Sequence, residues 1–533
     1  MRPPPEQHAP HPAEHRFDAD VLVLGGGPAG TWAALTAAEA GARVVLADKG
    51  YCGTSGATAP SNTGAWYLPP GPAREAEAER RLARGHGLAD RRWILRVIDQ
   101  AWQNLDVLAE RGYPFPVDEG GRPYRANLRG PDYMRFMRRR VDKARVRVLD
   151  HSPALELLWH DGTVAGAAGV RPRDGSRWEV RAGAVVMATG GCTFLSRALG
   201  TDGNTGDGYL MGAEAGARLS GVEFSSQYGV SLVDASITKG LSFMFANFAL
   251  EDGSPLPEGA DRASRIARAL IEGRRVFGIM DKGTPQGHAW LRQGQPNTML
   301  PFDRAGIDPY SERFEVTLRS EGLVRGVGGL ELVSDDCATD VPGLYAAGDA
   351  ATRENLAGAV TGGGSPNASW AMASGSWSGR AATRFGIAQR SAAPRPVRAL
   401  GGAGLRPTAR PYLDAGEVTR FVQGETLPLD VNFFRSGARI AESRQALTAA
   451  WADIRAGLSG EGRGLVRARE AAAMAATARF IWEAAALRTE SRGMHRRLDL
   501  PDEDATFDDR IHVSGVDQIA AAFRNASQEA VAS

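Results

Sequence analysis

The stretch 19-ADVLVLGGGPAGTWAALTAAEAGARVVLADK-49 decides how this chain folds. Residues 19–24 are a short, β-rich apolar run of the kind that forms a buried parallel strand. Residues 29–40 are rich in alanine and predict a helix. Residues 43–47 predict a second buried strand that ends at Asp48. Gly25, Gly27 and Gly30 fill the G-x-G-x-x-G spacing between strand and helix. The first glycine permits the tight turn, the second lets a backbone approach a pyrophosphate, and the third lets helix pack on strand. The helix N-terminus then faces phosphates, and Asp48 is placed to accept from a ribose hydroxyl. This reads as a dinucleotide-binding unit; the competing reading is a glycine-rich turn in another α/β fold. Residues 21–38 carry no charge, but the glycine run breaks them, so they are not read as a membrane span.

Working outward, the chain has 533 residues, 43% apolar and 23% charged, which suits two to four soluble domains. A net charge of +1 offers no field for nucleic acid or an anionic membrane. Three scattered cysteines (Cys52, Cys192 and Cys337) argue against a disulfide framework, an iron–sulfur cluster or a zinc site, so no metal is expected and a reducing cytoplasm fits. The N-terminal 18 residues, polar and proline-rich, suggest a disordered tail. Runs at 145–150, 154–160 and 163–170 suggest a small sheet. Residues 387–412 read as linker, and 413–490 as strongly helical.

A second signal chooses the dinucleotide. Residues 341–346 predict another strand, ending in Gly348-Asp349, about 300 residues after the first motif. That places a carboxylate for a flavin ribityl chain, a contact an NAD enzyme does not need. No second G-x-G-x-x-G follows a strand, which leaves no dedicated NAD(P)H domain.

With these residues in view, the chain resembles the flavoprotein family of succinate dehydrogenase and fumarate reductase, which also holds L-aspartate oxidase and the adenylylsulfate reductase large subunit. The matching blocks are GGGPAG at 25–30, Asp48-Lys49, Ser55-Gly56-Ala57, ATGG at 188–191 and NTGDG at 204–208. They continue with Val222-Glu223-Phe224, PGLYAAGD at 342–349 and Glu490-Ser491-Arg492-Gly493-Met494-His495. The resemblance implies FAD contacts at Gly25, Gly27, Pro28, Ala29, Gly30, Asp48, Lys49, Ser55, Gly56, Thr189, Gly190, Gly191, Asp207 and Asp349. It also puts a turn containing Gly364 and Ser365 under the isoalloxazine. It implies an α/β fold: a Rossmann-like FAD-binding domain (19–228 and 333–386), an inserted α+β capping domain (229–332) and a C-terminal helical domain (413–533).

The family's dicarboxylate clamp of two His and two Arg is missing. The F-H-P-T-G block falls at 227–231, where Tyr228 replaces His. The shuttle block falls near 243–250, which contains no Arg. Val324 replaces the next His, and Thr361 the last Arg. Succinate, fumarate and aspartate are therefore expected to be poor substrates, and the pocket to be less charged and more aromatic, with Tyr228, Phe243, Phe245 and Phe248. Membrane complexes of the family attach FAD to a His after the serine matching Ser55; here that residue is Gly56, so FAD is expected to be non-covalent. Three residues are catalytic candidates. Tyr228 is a proton donor or a packed aromatic. Arg325 clamps an acid group or pairs at the surface. Lys239 contacts substrate or solvent.

The expected activity is hydride transfer between flavin N5 and a small organic substrate. Two alternatives stand beside it. One is an electron-transfer component with a ferredoxin-like partner, similar to adenylylsulfate reductase. The other is a non-catalytic flavin-binding component.

Overall fold

A computed structural model describes residues 4–117, 121–238, 242–390 and 396–525. Its centre is an eight-stranded sheet built around the strand His15–Leu24. This strand runs parallel to Val44–Ala47 on one side and to Arg177–Met187 on the other, with Leu22 level with Val45 and Val185. Buried on both faces, these strands need the unbroken apolar runs read from the sequence. The helix Pro28–Glu39 follows the glycine turn and packs against the long helix Ser365–Ala388.

Three expectations about connecting segments are corrected. Residues 4–18 are not a free tail: residues 15–18 pair with 178–181, and His8 and Ala399 exchange backbone hydrogen bonds of 2.8 and 3.0 Å. Partner strands supply that order, which polar composition cannot reveal. The runs at 145–170 form no separate sheet. Arg147–Leu149 extends one edge of the central sheet, and the hairpin of Ala154–His160 and Thr163–Val170 extends the other. The segment 387–412 is no loose linker where it is described. Arg398–Ala399 pairs with the hairpin strand, and Arg406 donates to buried Glu156 at 2.5 Å; residues 391–395 lie outside the described residues.

Between the two halves of the central unit sits the cap. Tyr228–Leu232, Phe314–Ser320, Val276–Ile279 and Asn247–Leu250 form an antiparallel sheet, covered by the helix Arg262–Ile271. The C-terminal helices Ala415–Gly424, Gly437–Gly457 and Arg463–Leu487 follow, the last buried along most of its length. The C-terminal part is not wholly helical. The hairpin Ile511–Ser514 and Ala520–Phe523 joins Leu219–Ser220 and Gly329–Leu330, the two strands through which the chain enters and leaves the cap. Among the described residues no helix is long and apolar enough to cross a membrane.

Candidate active site

The glycine turn is fixed by backbone contact. Gly25 has φ +111°, and a Cβ there would lie 2.2 Å from the Ala188 carbonyl oxygen. A Cβ on Gly30 would lie 1.8 Å from the Gly25 oxygen. No side chain fits at either position, so the strand end and helix start press together around a cleft of about 660 Å³. Gly25, Gly27, Pro28 and Ala29 line one wall, with Asp48, Lys49, Ser55 and Gly56 beside them. Thr189, Gly190, Asp207 and Asp349 line the other. Gly30 and Gly191 stand behind the wall. A Cβ on Gly191 would lie 3.0 Å from Val324 N, so Gly191 seats the turn that carries Arg325.

Two buried polar atoms in this cleft have no protein partner: Asp48 Oδ2 and Thr189 Oγ1. Asp48 is 4% exposed, and burial pushes its carboxyl pKa up. A ribose hydroxyl donating to Asp48 Oδ2 would satisfy it. The glycine cradle and these unpartnered atoms fit FAD, and Asp48 would be the residue to meet its ribose.

Lys49 and Asp207 meet each other. The Lys49 ammonium donates to Asp207 Oδ2 at 2.8 Å and to Thr205 Oγ1 at 2.8 Å, and pairs with Glu470 at 2.6 Å. Burial lowers its pKa, but Asp207 and Glu470 outweigh that and hold it above the ordinary value. Asp349 accepts from Arg353, which sequence reasoning missed. Arg353 is 1% exposed and also donates to the Val324 and Gly326 carbonyls at 2.8 and 2.7 Å and to Asn367 Oδ1 at 2.7 Å. The one signal for it was an arginine four residues beyond the strand-end acid.

Continuous with the cleft, through Ala57, Thr58, Thr63 and Asn367, lies a second cavity of about 320 Å³. Gly364 and Ser365, at the start of the long helix, line it with Val324, Arg325, Gln295 and Asn127. Arg325 reaches across the glycine turn: a Cβ on Gly363 would lie 2.3 Å from its Nε. Arg325 Nη1 donates to Glu321 Oε2 at 2.8 Å, and Glu321 Oε1 accepts from Thr238 Oγ1 at 2.8 Å. The Glu321 side chain is fully buried behind the arginine. The Thr361 hydroxyl donates to the Arg325 carbonyl at 2.8 Å and holds the turn.

Tyr228 is not part of this cavity. Its hydroxyl donates to the Leu427 carbonyl at 2.9 Å, its ring packs edge-on against Phe433, and burial pushes its pKa up. Phe243 and Phe248 belong to the cap's core, so the expected aromatic pocket is corrected: Tyr124 is the aromatic residue lining it. These rings face the cap's interior because its sheet and helix need an apolar core of their own. Lys239 lies outside the described residues.

A family model described as FAD binding domain matches residues 20–253, and one described as fumarate reductase flavoprotein C-term matches 424–521. L-aspartate oxidase of Mycobacterium tuberculosis is 28% identical over 91% of this chain and 93% of its own. A fumarate reductase (CoM/CoB) subunit of Methanothermobacter marburgensis is 25% identical over 91% and 95%. In fold, the FrdA chain of E. coli quinol fumarate reductase superposes with a TM-score of 0.80 at 19% identity, covering 96% of this chain and 97% of that one. The chain belongs to the succinate dehydrogenase/fumarate reductase flavoprotein family. It is an FAD-dependent oxidoreductase.

In this flavoprotein the C-terminal motif forms a buried ionic brace. Arg488 pairs with Glu223 at 3.0 Å and Glu490 at 2.9 Å, and Arg492 with Glu490 at 2.6 Å. His495 Nδ1 accepts from Arg435 at 2.7 Å while its Nε2 sits 3.0 Å from the Arg488 carbonyl. Burial, then Arg435, drives the His495 pKa far down, so the ring is neutral. The motif ties the C-terminal segment to the loop before the cap and does not line the Arg325 cavity. Among the described residues lining the cleft there is no His, Cys or Tyr to which a flavin could be tethered.

Proposed function

We propose that this flavoprotein oxidises or reduces a carbon centre of a small polar substrate carrying at most one acidic group, and that C4 dicarboxylates are poor substrates. One observation carries the reading: Arg325 is the single cation among the described residues lining the cavity, and the buried Glu321 already offsets its charge at 2.8 Å. A second carboxylate would enter with nothing to balance it, and an unpaired buried anion is too costly to hold. Val324 stands where the resemblance puts a histidine, and Thr361 where it puts an arginine.

Bound FAD supplies hydride exchange at N5 with the substrate carbon. The protein's part is to bind and orient. Arg325 holds an acceptor oxygen, and Asn127 and Gln295 offer neutral donors and acceptors around it. Asn297 donates to the Pro60 carbonyl at 2.6 Å and fastens the cap to the FAD-binding unit, which helps exclude water. The names of the relatives, L-aspartate oxidase and fumarate reductase, remain theirs at 25–28% identity.

The test is anaerobic titration of the flavin. Succinate and aspartate should leave its absorbance unchanged, and the dithionite-reduced protein should not be reoxidised by fumarate, while neutral and monocarboxylic compounds are screened in parallel. Bleaching by sub-millimolar succinate or aspartate would overturn the reading. Support for a protein electron partner, such as a ferredoxin-like chain, comes from the Methanothermobacter marburgensis relative, whose name makes it one subunit of a fumarate reductase. Co-purification of a small Cys-rich chain is its test. The three free, buried thiols support a reducing cytoplasmic setting.

A further inference from the structure

On the face of the molecule formed by the C-terminal hairpin lies a separate cavity of about 260 Å³ that shares no lining residue with the flavin cleft or the Arg325 cavity. Glu354 enters it from the short helix Glu354–Ala357, His512 from the strand Ile511–Ser514, and Arg510 and Arg524 from the hairpin's ends. Glu354 is 1% exposed. Its Oε2 accepts from Ser220 and, at 3.3 Å, from Thr352, while Oε1 has no partner. Gly221, at φ +70°, makes room for that carboxyl: a Cβ there would lie 2.7 Å from Glu354 Cδ.

His512 is 7% exposed and repeats the pattern. Nε2 lies 3.2 Å from Glu331 Oε1, and Nδ1 has no partner. Burial, then Arg218 and Arg524, lowers its pKa to about 4, so the ring is neutral at pH 7. With Nε2–H toward Glu331, Nδ1 is a bare acceptor. Glu331 Oε2 lies 2.6 Å from Arg218 Nε in an ion pair that lacks hydrogen-bond geometry, while Asp335 accepts from Arg92 at 2.6 and 2.8 Å. Three buried oxygen and nitrogen atoms here lack a hydrogen-bond partner, Glu354 Oε1, His512 Nδ1 and Glu331 Oε2; burial pushes the Glu354 carboxyl up to about 7, and a cation donating to it would favour its charged form. Arg510 donates to the Leu88 carbonyl at 2.7 Å, and Arg524 is exposed at the rim. A buried acceptor left unmet costs roughly 1–3 kcal/mol, so such atoms gathered in one cavity call for an occupant.

We propose that this cavity is a second ligand site, built for a small zwitterion: an ammonium donating to Glu354 Oε1 and His512 Nδ1, and a carboxylate facing Arg524 and Arg510. Its volume lies below the ~300 Å³ at which drug-sized sites begin, which restricts the ligand to a compact molecule such as a short α-amino acid. Among the described residues no trio of His, Cys, Asp and Glu is arranged to hold a metal ion, so an organic ammonium is the cation that fits.

Calorimetric titration of the FAD-loaded protein with glycine, ethanolamine and acetate tests it. Glycine should bind, with ethanolamine and acetate each about tenfold weaker for lack of one charge-assisted contact. Glu354→Gln should weaken glycine at least tenfold, and Arg325→Ala should leave it unchanged. Should Glu354→Gln fail to fold, Arg524→Ala, at an exposed position, should weaken glycine and acetate but not ethanolamine. No heat from any of the three probes at about 50 mM overturns the proposal, as does glycine binding that Arg325→Ala abolishes and both other variants preserve.

Discussion

The flavin cleft and the Arg325 cavity are continuous, yet they treat the family pattern in opposite ways. The cleft keeps every glycine and acid of the pattern. At and around the adjoining cavity, this chain has Val324, Thr361 and a tyrosine turned into the cap where the resemblance puts cations and imidazoles. The difference lies in what enforces each part. In the cleft the constraint is backbone against backbone: the Gly30 Cβ position is 1.8 Å from the Gly25 oxygen, which no exchange tolerates. In the cavity, side chains on separate elements supply the chemistry. Each can change while the sheet, the cap and the turns stay in place, so such a fold can keep its cofactor while its specificity changes.

The largest expected effect therefore lies in the cleft. Gly30→Ala should yield no folded yellow protein, because its methyl group overlaps a carbonyl that has nowhere to go; flavin absorbance after gel filtration and far-UV circular dichroism check it. Recovery of full flavin content would break the contrast between the two regions.

Asp349→Ala comes next. It removes the ionic partner of buried Arg353 as well as the carboxylate proposed to meet the flavin. Breaking a buried ion pair costs about 3–5 kcal/mol, so a lowered melting temperature should accompany the loss of FAD. Replacing Asp48 with Ala should also weaken FAD about 10- to 100-fold, the worth of a charge-assisted hydrogen bond, since this carboxylate is 4% exposed and not at a solvated rim. A fluorescence titration of the apoprotein measures it.

In the cavity the effects are smaller and change preference. Glu321→Gln leaves Arg325 unbalanced and should improve the binding of acidic probes such as fumarate by roughly tenfold, consistent with ~1.5 kcal/mol for one charged contact. Competition titrations on wild type and variant read it directly; equal affinities would show that Glu321 does not set the charge of the cavity. Smallest of all is Tyr228→Phe. It removes one hydrogen bond to the Leu427 carbonyl, about 0.5–1.5 kcal/mol of stability, and should leave kcat unchanged. A large fall in kcat would return Tyr228 to the reacting atoms.

The two regions also differ in how legible they were. Gly25, Gly27, Gly30, Asp48 and Gly348-Asp349 could be read because each sits at a fixed offset from a strand end within a short stretch. Arg325 was read as one of two alternatives, and only the fold showed that it lines the cavity and pairs with Glu321 as well. Tyr228 was misplaced. Its spacing puts it at the first residue of a strand, but which side of the cap that residue faces depends on Phe433 and Leu427, some 200 residues away. Arg353 and Glu321 passed unnoticed because an arginine or a glutamate near a turn carries no local signature.

Sequence alone determined that this chain binds a dinucleotide by a glycine-turned strand and helix, that a second strand end makes it a flavin, and that the residues at the positions the resemblance assigns to a dicarboxylate clamp are Tyr228, Val324 and Thr361. All three rest on local rules: steric exclusion at glycine, strand periodicity, and the identity of residues at fixed spacing. Tertiary structure decided the rest. It tied His8 and residues 15–18 to the sheet, closed the C-terminal hairpin over the two strands that enter and leave the cap, paired Lys49 with Asp207, and set Glu321 behind Arg325. Those outcomes depend on which distant groups share a buried space, because a buried charge or hydrogen-bonding group must find its partner wherever the fold supplies one.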